Sequence, residues 1–500
     1  MKGIIAAGDR LTAKAGAGVL RKGGNAFDAV VAAVFASYMA EPALTSPAGG
    51  GFLLAFEQGK TPVVYDFFVD VPPYREEEPD FFKITVDFGD ALQDFHIGCG
   101  AVAVPGNVAG LLRVHKEKGI LPLEEVLKPA IKYATEGVNL SILQASFVKL
   151  LAPIFTATEG SRRIFAPDGR LIDDKTVFKN HQYGEFLKLL IDKGQWVFYE
   201  GEVADRIEEL SVRYHGHIRK KDLERYKVVE RKPLSFKFKD LDVLTNPPPF
   251  PGGILIAFTL KLLENEELVS FGSKEHLLKL VKAMEETQVF REQFVDDGIS
   301  EDFYGFLKEE FLSEYKKKVN RFGNTTHVSV IDKEGNAASI TTTNGEGSGY
   351  IIPETGIMLN NMLGEEDLNP KGFFKWPPYI RLPSMMSPTI VVENGEPKLV
   401  LGSAGSNKIR SAIVNVILNC VVFGMDIKSA VDSPRIHYEK GTVFIEPGFE
   451  GKVLEELRKI YKDLVEFSSL NLFFGGVQAV NSSFQGAGDP RRGGYCIKVF

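Results

Sequence analysis

Cysteine is scarce, with 3 in 500 residues. Cys99, Cys420 and Cys496 lie far apart, share no metal-ligand or redox spacing, and are odd in number. That excludes a disulfide framework and fits a reducing compartment. Long apolar runs are missing as well. The most hydrophobic stretch, Ala26 to Ala40, contains Asp28 and is too short to span a bilayer. The opening MKGIIAAGDR holds a lysine and then an acid where a signal peptide has its apolar core. A cytoplasmic protein with no membrane partner is expected. An excess of positive charge is also absent. Lys+Arg number 59 against 66 Asp+Glu, a net charge of −7, which argues against a nucleic-acid partner. His115, His181, His215 and His217 are scattered without ligand spacing to a carboxylate or Cys. Neither a metal nor a cofactor is expected. Low-complexity tracts and repeats of 20 to 50 residues are not apparent.

What is present is ordinary globular material: 44% hydrophobic, 25% charged, and long enough for a large core. Length alone suggests two to four domains. Residues 10 to 22 and 25 to 40 read as helices, the first ended by Gly23-Gly24 and the second capped by Asn25. The second is apolar nearly all round, so it should be buried. Gly49-Gly50-Gly51 precedes a strand at 52–56, paired with one at 63–68. A phosphate loop would need Lys-Ser/Thr and a helix next, and neither follows. Residues 70–95 read as irregular, 101–110 as strand, Pro-Gly turn and helix start, and 108–232 as largely helical. A strand at 234–244 runs through a proline-rich link, PPPFPGG, into a helix from Ile254. Residues 274–320 read as a charged helical surface ending in Lys316-Lys317-Lys318. Beyond Asn324 strands dominate, at 327–332, 337–343, 356–360, 388–393, 398–402, 442–446 and 495–499, with helices at 406–424, 427–432 and 450–461.

The pivotal stretch is RFGNTTHVSVIDKEGNAASITTTNGEGSGY, residues 321–350. Its alternation and its turn at Lys333–Asn336 predict a β-hairpin that Thr325 opens. A threonine hydroxyl is a weak nucleophile, but a free α-amine on the same residue, with a pKa of about 7.7–8, can serve as its base. Only cleavage between Asn324 and Thr325 would supply that amine. A plain hairpin with solvent-facing threonines is the bland alternative.

Nine segments in order decide between the two: GVLRKGGNAFDAVVAA at 18–33, PAGGGFLLAF at 47–56, AVPGNVAGL at 103–111, PPPFPGG at 247–253, NTTHVSVIDKEGNA at 324–337, GIMLNN at 356–361, SMMSPTIV at 384–391, LGSAGSNKI at 401–409 and DSPRIHYE at 432–439. Together they resemble the gamma-glutamyltransferase (gamma-glutamyltranspeptidase) family of threonine N-terminal-nucleophile hydrolases. The resemblance implies a four-layer αββα sandwich with two mostly antiparallel sheets between helical layers. It implies self-cleavage before Thr325 into a helix-rich large subunit, 1–324, and a strand-rich small subunit, 325–500, interleaved in one globular unit. Thr325 would then attack an amide carbonyl, with transfer of the acyl group to water or an amine or peptide acceptor.

By the same resemblance Thr343 supports the nucleophile by direct counting, while the family's Thr-x-Asn pattern fits Thr342 and Asn344; Thr343 is preferred and Thr342 stays open. Backbone donors at Gly405 and Ser406, where the family has Gly-Gly, would form the oxyanion hole. Glu346, Asn361, Glu365 and Ser384 are candidate substrate contacts, with Glu365 and Glu366 in reach of an amino group. The departures concern the acyl group. The family's Arg after Asp-Phe, which grips an α-carboxylate, is Phe68 here; Met385 stands where a second serine is expected, and Met362 follows Asn361. An ungripped carboxylate loses a charge-assisted bond of about 1.5–3 kcal/mol. Arg75, Lys408 or Arg381 are candidates to compensate. The segment from Glu365 to Ser384 is short and aromatic, with Phe373, Phe374, Trp376 and Tyr379. Three readings result: a gamma-glutamyl (glutathione-like) hydrolase or transferase, a relative acting on another acyl amide, and a non-catalytic binding module.

Overall fold

The structure, a computed structural model, describes residues 1–87, 92–295 and 324–500. The sequence-based helix over 274–320 is present as Lys274–Phe290 with a wider turn over Arg291–Val295; its continuation and Lys316-Lys317-Lys318 lie outside the described residues.

Asn25 starts the helix Ala26–Ala40 with a reciprocal cap. Its side chain accepts from the N–H groups of Phe27 and Asp28 at 3.0 and 2.9 Å, and Asp28 accepts from the Asn25 N–H at 3.1 Å. Every residue of that helix is buried, as its all-round apolarity requires. It packs, with Arg10–Arg21, on a sheet of seven strands. Their order is Tyr495–Val499, Gly3–Ala7, Thr326–Asp332, Ala337–Thr343, Gly50–Phe56, Val63–Phe67 and Val229–Arg231, all antiparallel. A second antiparallel sheet runs Gly486–Ala487, Gly476–Asn481, Glu396–Ala404, Thr389–Glu393, Leu241–Thr245 and Leu234–Phe238.

Strand alternation divides the core. Ile5, Leu53, Val328 and Ile340 face the helices in one apolar cluster. Ile4, Phe52 and Leu54 face the other way, joining Ile390, Val400 and Leu401 of the second sheet and the helices Pro251–Leu263 and Ile409–Val421 behind it. This is the four-layer αββα sandwich that the resemblance implies. Strands from before and after residue 324 are mixed in the first sheet, Gly3–Ala7 lying between Tyr495–Val499 and Thr326–Asp332. Among the described residues no helix is long and apolar enough to cross a membrane.

Local readings differ from the structure in several places. Residues 234–244 form two strands, not one, because Lys239 adopts a left-handed φ of 53° and turns the chain back. The stretch read as irregular contains a hairpin, Phe82–Asp87 with Leu92–Ile97. The strand expected after residue 101 is a short 3-10 turn, Cys99–Ala101, and an isolated bridge between Val104 and Asp70. Gly3–Ala7, GIIAA, is a central strand although its small residues show no alternation; it is buried on both faces.

The two sheets are stitched by a buried polar chain. His327 Nδ1 lies 2.8 Å from the Thr341 hydroxyl and Nε2 lies 2.9 Å from Ser329 Oγ. Ser329 donates to the Gln478 carbonyl at 3.0 Å and Ser339 to the Leu401 carbonyl at 3.0 Å, both in the second sheet. Because the Ser329 proton goes to Gln478, Nε2–H donates to Ser329 and Nδ1 accepts from Thr341. Burial pushes the imidazole down to about 3, so it is neutral. A Cβ on Gly402 would stand 2.2 Å from His327 Cε1, so only glycine lets the ring sit between the sheets. Gly402→Ala is expected to cost about 1–3 kcal/mol by overpacking, read as a lower urea midpoint; an unchanged midpoint would show that the ring yields freely.

Candidate active site

Pleat and register place the threonines. Thr326 pairs with Thr342, Thr342 with Gly51, and Gly51 with Phe67. Side chains alternate, so Thr325 and Thr343 share the inter-sheet face with His327 and Thr341. Thr326 and Thr342 point to the helical layer. There Thr342 bonds the Thr45 hydroxyl at 2.8 Å, and Thr326 donates to Glu41 at 2.7 Å. Of the two supporting candidates, Thr343 therefore stands beside Thr325 and Thr342 does not.

The three glycines at 49–51 are explained by close approach rather than by an anion. A Cβ on Gly49 would lie 2.1 Å from the Thr343 carbonyl oxygen, one on Gly50 3.0 Å from Phe68 Cα, and one on Gly51 2.5 Å from the Thr341 oxygen. Thr343 pairs with Gly50, and extending the register by one residue at Thr325 and Phe68, and by two from Asp66–Val229 to Lys227, aligns Thr325, Thr343, Gly50, Phe68 and Lys227. A cavity of about 630 Å³ opens along this end of the sheet, lined by Thr325, Thr343, Phe68 and Lys227. The facing wall is the matching end of the second sheet, with Ser384, Met385 and Ser406.

At the Thr325 end of the cavity Asn324 is held at both of its backbone groups. The Thr343 hydroxyl donates to the Asn324 carbonyl oxygen and accepts the Gly345 N–H at 3.0 Å. The Asn324 N–H bonds to the Glu346 carboxyl. Asn361 fixes that loop: its Oδ1 accepts the N–H groups of Glu346 and Gly347 at 2.9 and 3.2 Å, and its Nδ2 donates to Glu346 at 3.3 Å. Burial pushes Glu346 up to about 8. Glu365 is raised too, by burial and by the charges of Glu346 and Asp367, and its buried Oε1 has no hydrogen-bond partner among the described residues. Asp367 accepts from Ser406 Oγ. Among the described residues no group of three His, Cys, Asp or Glu is arranged to hold a metal ion.

Gly405 and Ser406 sit at the start of the helix Ile409–Val421, after the end of a second-sheet strand. Gly405 has φ 122° and a Cβ there would meet Gly475 Cα at 2.9 Å, so glycine is required. Ser406 lines the cavity; Gly405, Asn344, Glu346 and Asn361 stand behind the lining, whereas Glu365 and Ser384 are part of it. Met362 is fully buried in the core. Glu366 does not line the cavity.

Phe68 is also fully buried, stacked on Phe52 with ring centres 5.4 Å apart, and forms part of the floor. The three cations named as substitutes for the missing Arg fare differently. Lys408 is paired with Glu439 at 3.3 Å and Arg75 donates to the Trp376 carbonyl at 3.1 Å; neither lines the cavity. Arg381 does, but it is paired with Asp66 at 3.1 Å and Asp70 at 2.7 Å. Arg231 shares Asp66 at 2.8 Å. Sequence reasoning missed Asp367, Arg225, Lys227 and Arg231 as lining residues, and Glu41 beneath Thr326; none carries a local motif, since each arrives through long-range register. The 365–384 segment is tied down beside the cavity, with the Tyr379 N–H bonded to the Val71 oxygen and the Leu382 N–H to the Val69 oxygen.

A family model described as Gamma-glutamyltranspeptidase matches residues 12–499. A glutathione hydrolase proenzyme from Pseudomonas aeruginosa is 30% identical over 541 residues, covering 99% of this chain and 94% of that protein. One from Bacillus subtilis is 27% identical over 543 residues, covering 99% and 91%. Among solved structures, a cephalosporin acylase from Bacillus halodurans superposes with a TM-score of 0.86 over 99% of this chain and 95% of that one, at 24% identity, a likeness of fold.

Glu41 generates a pH prediction. It is fully buried, accepts from Thr12 at 2.6 Å and Thr326 at 2.7 Å, and is pushed up to about 8 by burial and by Asp9. Unfolded, it ionises near 4.3. Between those values the unfolded chain has released a proton that the folded one keeps, so Glu41 makes stability fall as pH rises through this window and adds nothing further above it. Glu41→Gln keeps the shape without the titration. Its melting temperature relative to wild type should therefore rise steadily from pH 5 to 8; a difference independent of pH would show that Glu41 is already ionised.

Proposed function

Because the chain belongs to the gamma-glutamyltranspeptidase family, a family of hydrolase/transferase enzymes, we propose that it is a proenzyme that cleaves itself between Asn324 and Thr325 and then uses Thr325 as its nucleophile. The observation that supports this most is the hold on Asn324: the Thr343 hydroxyl on its carbonyl oxygen, which belongs to the Asn324–Thr325 peptide, and Glu346 on its N–H, with Thr325 at the cavity wall.

In this reading the Thr325 oxygen adds to the Asn324 carbonyl carbon, the C–N bond breaks, and the chain passes through an ester that water hydrolyses. The freed α-amine becomes the base. It takes the Thr325 hydroxyl proton as Oγ attacks an amide substrate, and returns it to the departing amine. Backbone N–H groups at Gly405–Ser406 and the start of the following helix take the developing oxyanion. Water or an amine acceptor then removes the acyl group. Residues 1–324 form the large fragment and 325–500 the small one.

Two acyl groups fit this machinery. A gamma-glutamyl group would set its ammonium against Glu365 and Asp367, which line the cavity. Another acyl amide is favoured by a specific observation: the α-carboxylate position offers the ring of Phe68, and the nearby Arg381 and Arg231 are matched by Asp66 and Asp70.

Purified wild-type protein should run as two pieces, of 324 and 176 residues (500 − 324 = 176), and Thr325→Ala as one intact chain. Thr343→Ala should slow cleavage roughly a hundredfold, the usual cost of removing a donor to a developing oxyanion, while Thr342→Ala still cleaves. Intact wild-type chain with amide-cleaving activity, or cleavage that survives Thr325→Ala, would refute the proposal.

A further inference from the structure

The cavity is long and its two ends differ in chemistry. Extending the strand register past its paired residues aligns Thr325, Thr343, Gly50, Phe68 and Lys227 in one row. Four strand spacings of about 4.8 Å put Lys227 about 19 Å from Thr325 along the sheet. At the Thr325 end stand Glu365 and Asp367, with Glu346 behind them. Burial raises Glu346 and Glu365, and the one cation lining this end among the described residues, Arg291, is bonded to Asn407 at 2.9 Å, which in turn donates to Asp367. The middle is apolar, formed by Phe68, Phe250, Leu382 and Met385. At the far end Arg225 and Lys227 are exposed, and Arg225 stacks over Tyr379 at 3.9 Å.

The acids of that end are already engaged. Asp66 and Asp70 hold Arg231 and Arg381. Asp222 lies in the field of Arg219 and Arg225 and accepts the Arg219 N–H at 2.8 Å. Lys227 has no carboxylate partner among the described residues. A short acyl group with a terminal carboxylate would leave that charge over the Phe68 ring, and a longer one would carry it across to Arg225 and Lys227.

We propose that this cavity takes an acyl amide whose acyl part is a long apolar chain ending in an anionic group, held by Arg225 and Lys227. The proposal rests on the reading of Thr325 as nucleophile, and it assigns the chain to the acyl side for a physical reason. The acyl group must stay bound while the amine departs and water enters, so it needs the longer walled space.

The test compares four p-nitroanilides on processed wild-type protein: those of sebacic acid, decanoic acid, glutaric acid and gamma-glutamate. The sebacic half-anilide should have a kcat/KM at least tenfold above the decanoic and glutaric compounds. In the double variant Arg225→Gln/Lys227→Gln the sebacic-to-decanoic ratio should fall at least tenfold. The variant's own chain cleavage and melting temperature report that it has folded. A preference for either short substrate, or a ratio unmoved in the double variant, overturns the proposal while Thr325 acylation, seen by mass, leaves the enzymatic reading intact. If no anilide acylates Thr325, that reading fails instead, and calorimetry with free sebacate and decanoate decides the cavity. Tighter sebacate binding that the double variant loses sustains the assignment; equal binding sinks it.

Discussion

Thr326 pairs with Thr342, and a slip of one residue in that register would turn Thr325 and Thr343 from the inter-sheet face toward the helical layer. Most of what surrounds the site guards against that slip. Thr326 and Thr342 are tied on the helix side to Glu41 and Thr45, and His327 and Thr341 are tied on the other side to one another and to the second sheet through Ser329. A strand buried on both faces has little alternation of hydrophobicity to set its register. Here polar pairs of opposite parity do it, each satisfied only in one alignment. Gly49, Gly50 and Gly51 add a steric condition, since the neighbouring strand backbones come too close for any side chain.

That solution burdens the interior with groups that water would rather hold. Glu41, Glu346 and His327 are buried, the two carboxyls raised and the imidazole lowered, so that each favours its neutral form. A neutral carboxyl between two threonine hydroxyls and a neutral imidazole between a threonine and a serine are low in cost only while every partner stays in place. The same partners thus serve register and polar satisfaction at once, which is why the hairpin around Thr325 cannot relax locally without disturbing both sheets.

Much of this was legible in the chain. The hairpin over 326–343, the capped helix from Asn25 and the family pattern all rest on residues near one another in sequence, where spacing and turn chemistry speak directly. That Thr343, and not Thr342, shares the face of Thr325 needs only pleat parity once the register is known. What stayed hidden depends on distant segments meeting. Gly3–Ala7 is small and unpatterned, and becomes a strand because two others flank it. Lys227, Arg225 and Asp367 reach the cavity through strand order and loop placement that no motif records. Arg381 was visible as a cation but not as one already bound, because Asp66 lies 315 residues away in the chain.

Phe68 shows how such a distant pairing reshapes a site. Asp66, two residues before it, is fully buried and bonded to Arg231 and Arg381. A guanidinium at position 68 would bring a third cation to this one carboxylate, and a planar fork needs a free carboxylate to be useful. The ring instead closes against Phe52, and Phe52 packs in turn on Phe250, with ring centres 4.5 Å apart. This apolar floor lies between Glu365 and Asp367 at one end of the cavity and Arg225 and Lys227 at the other. The apolar floor at Phe68 and the pairing of both nearby arginines are therefore one arrangement, set by the partners of Asp66.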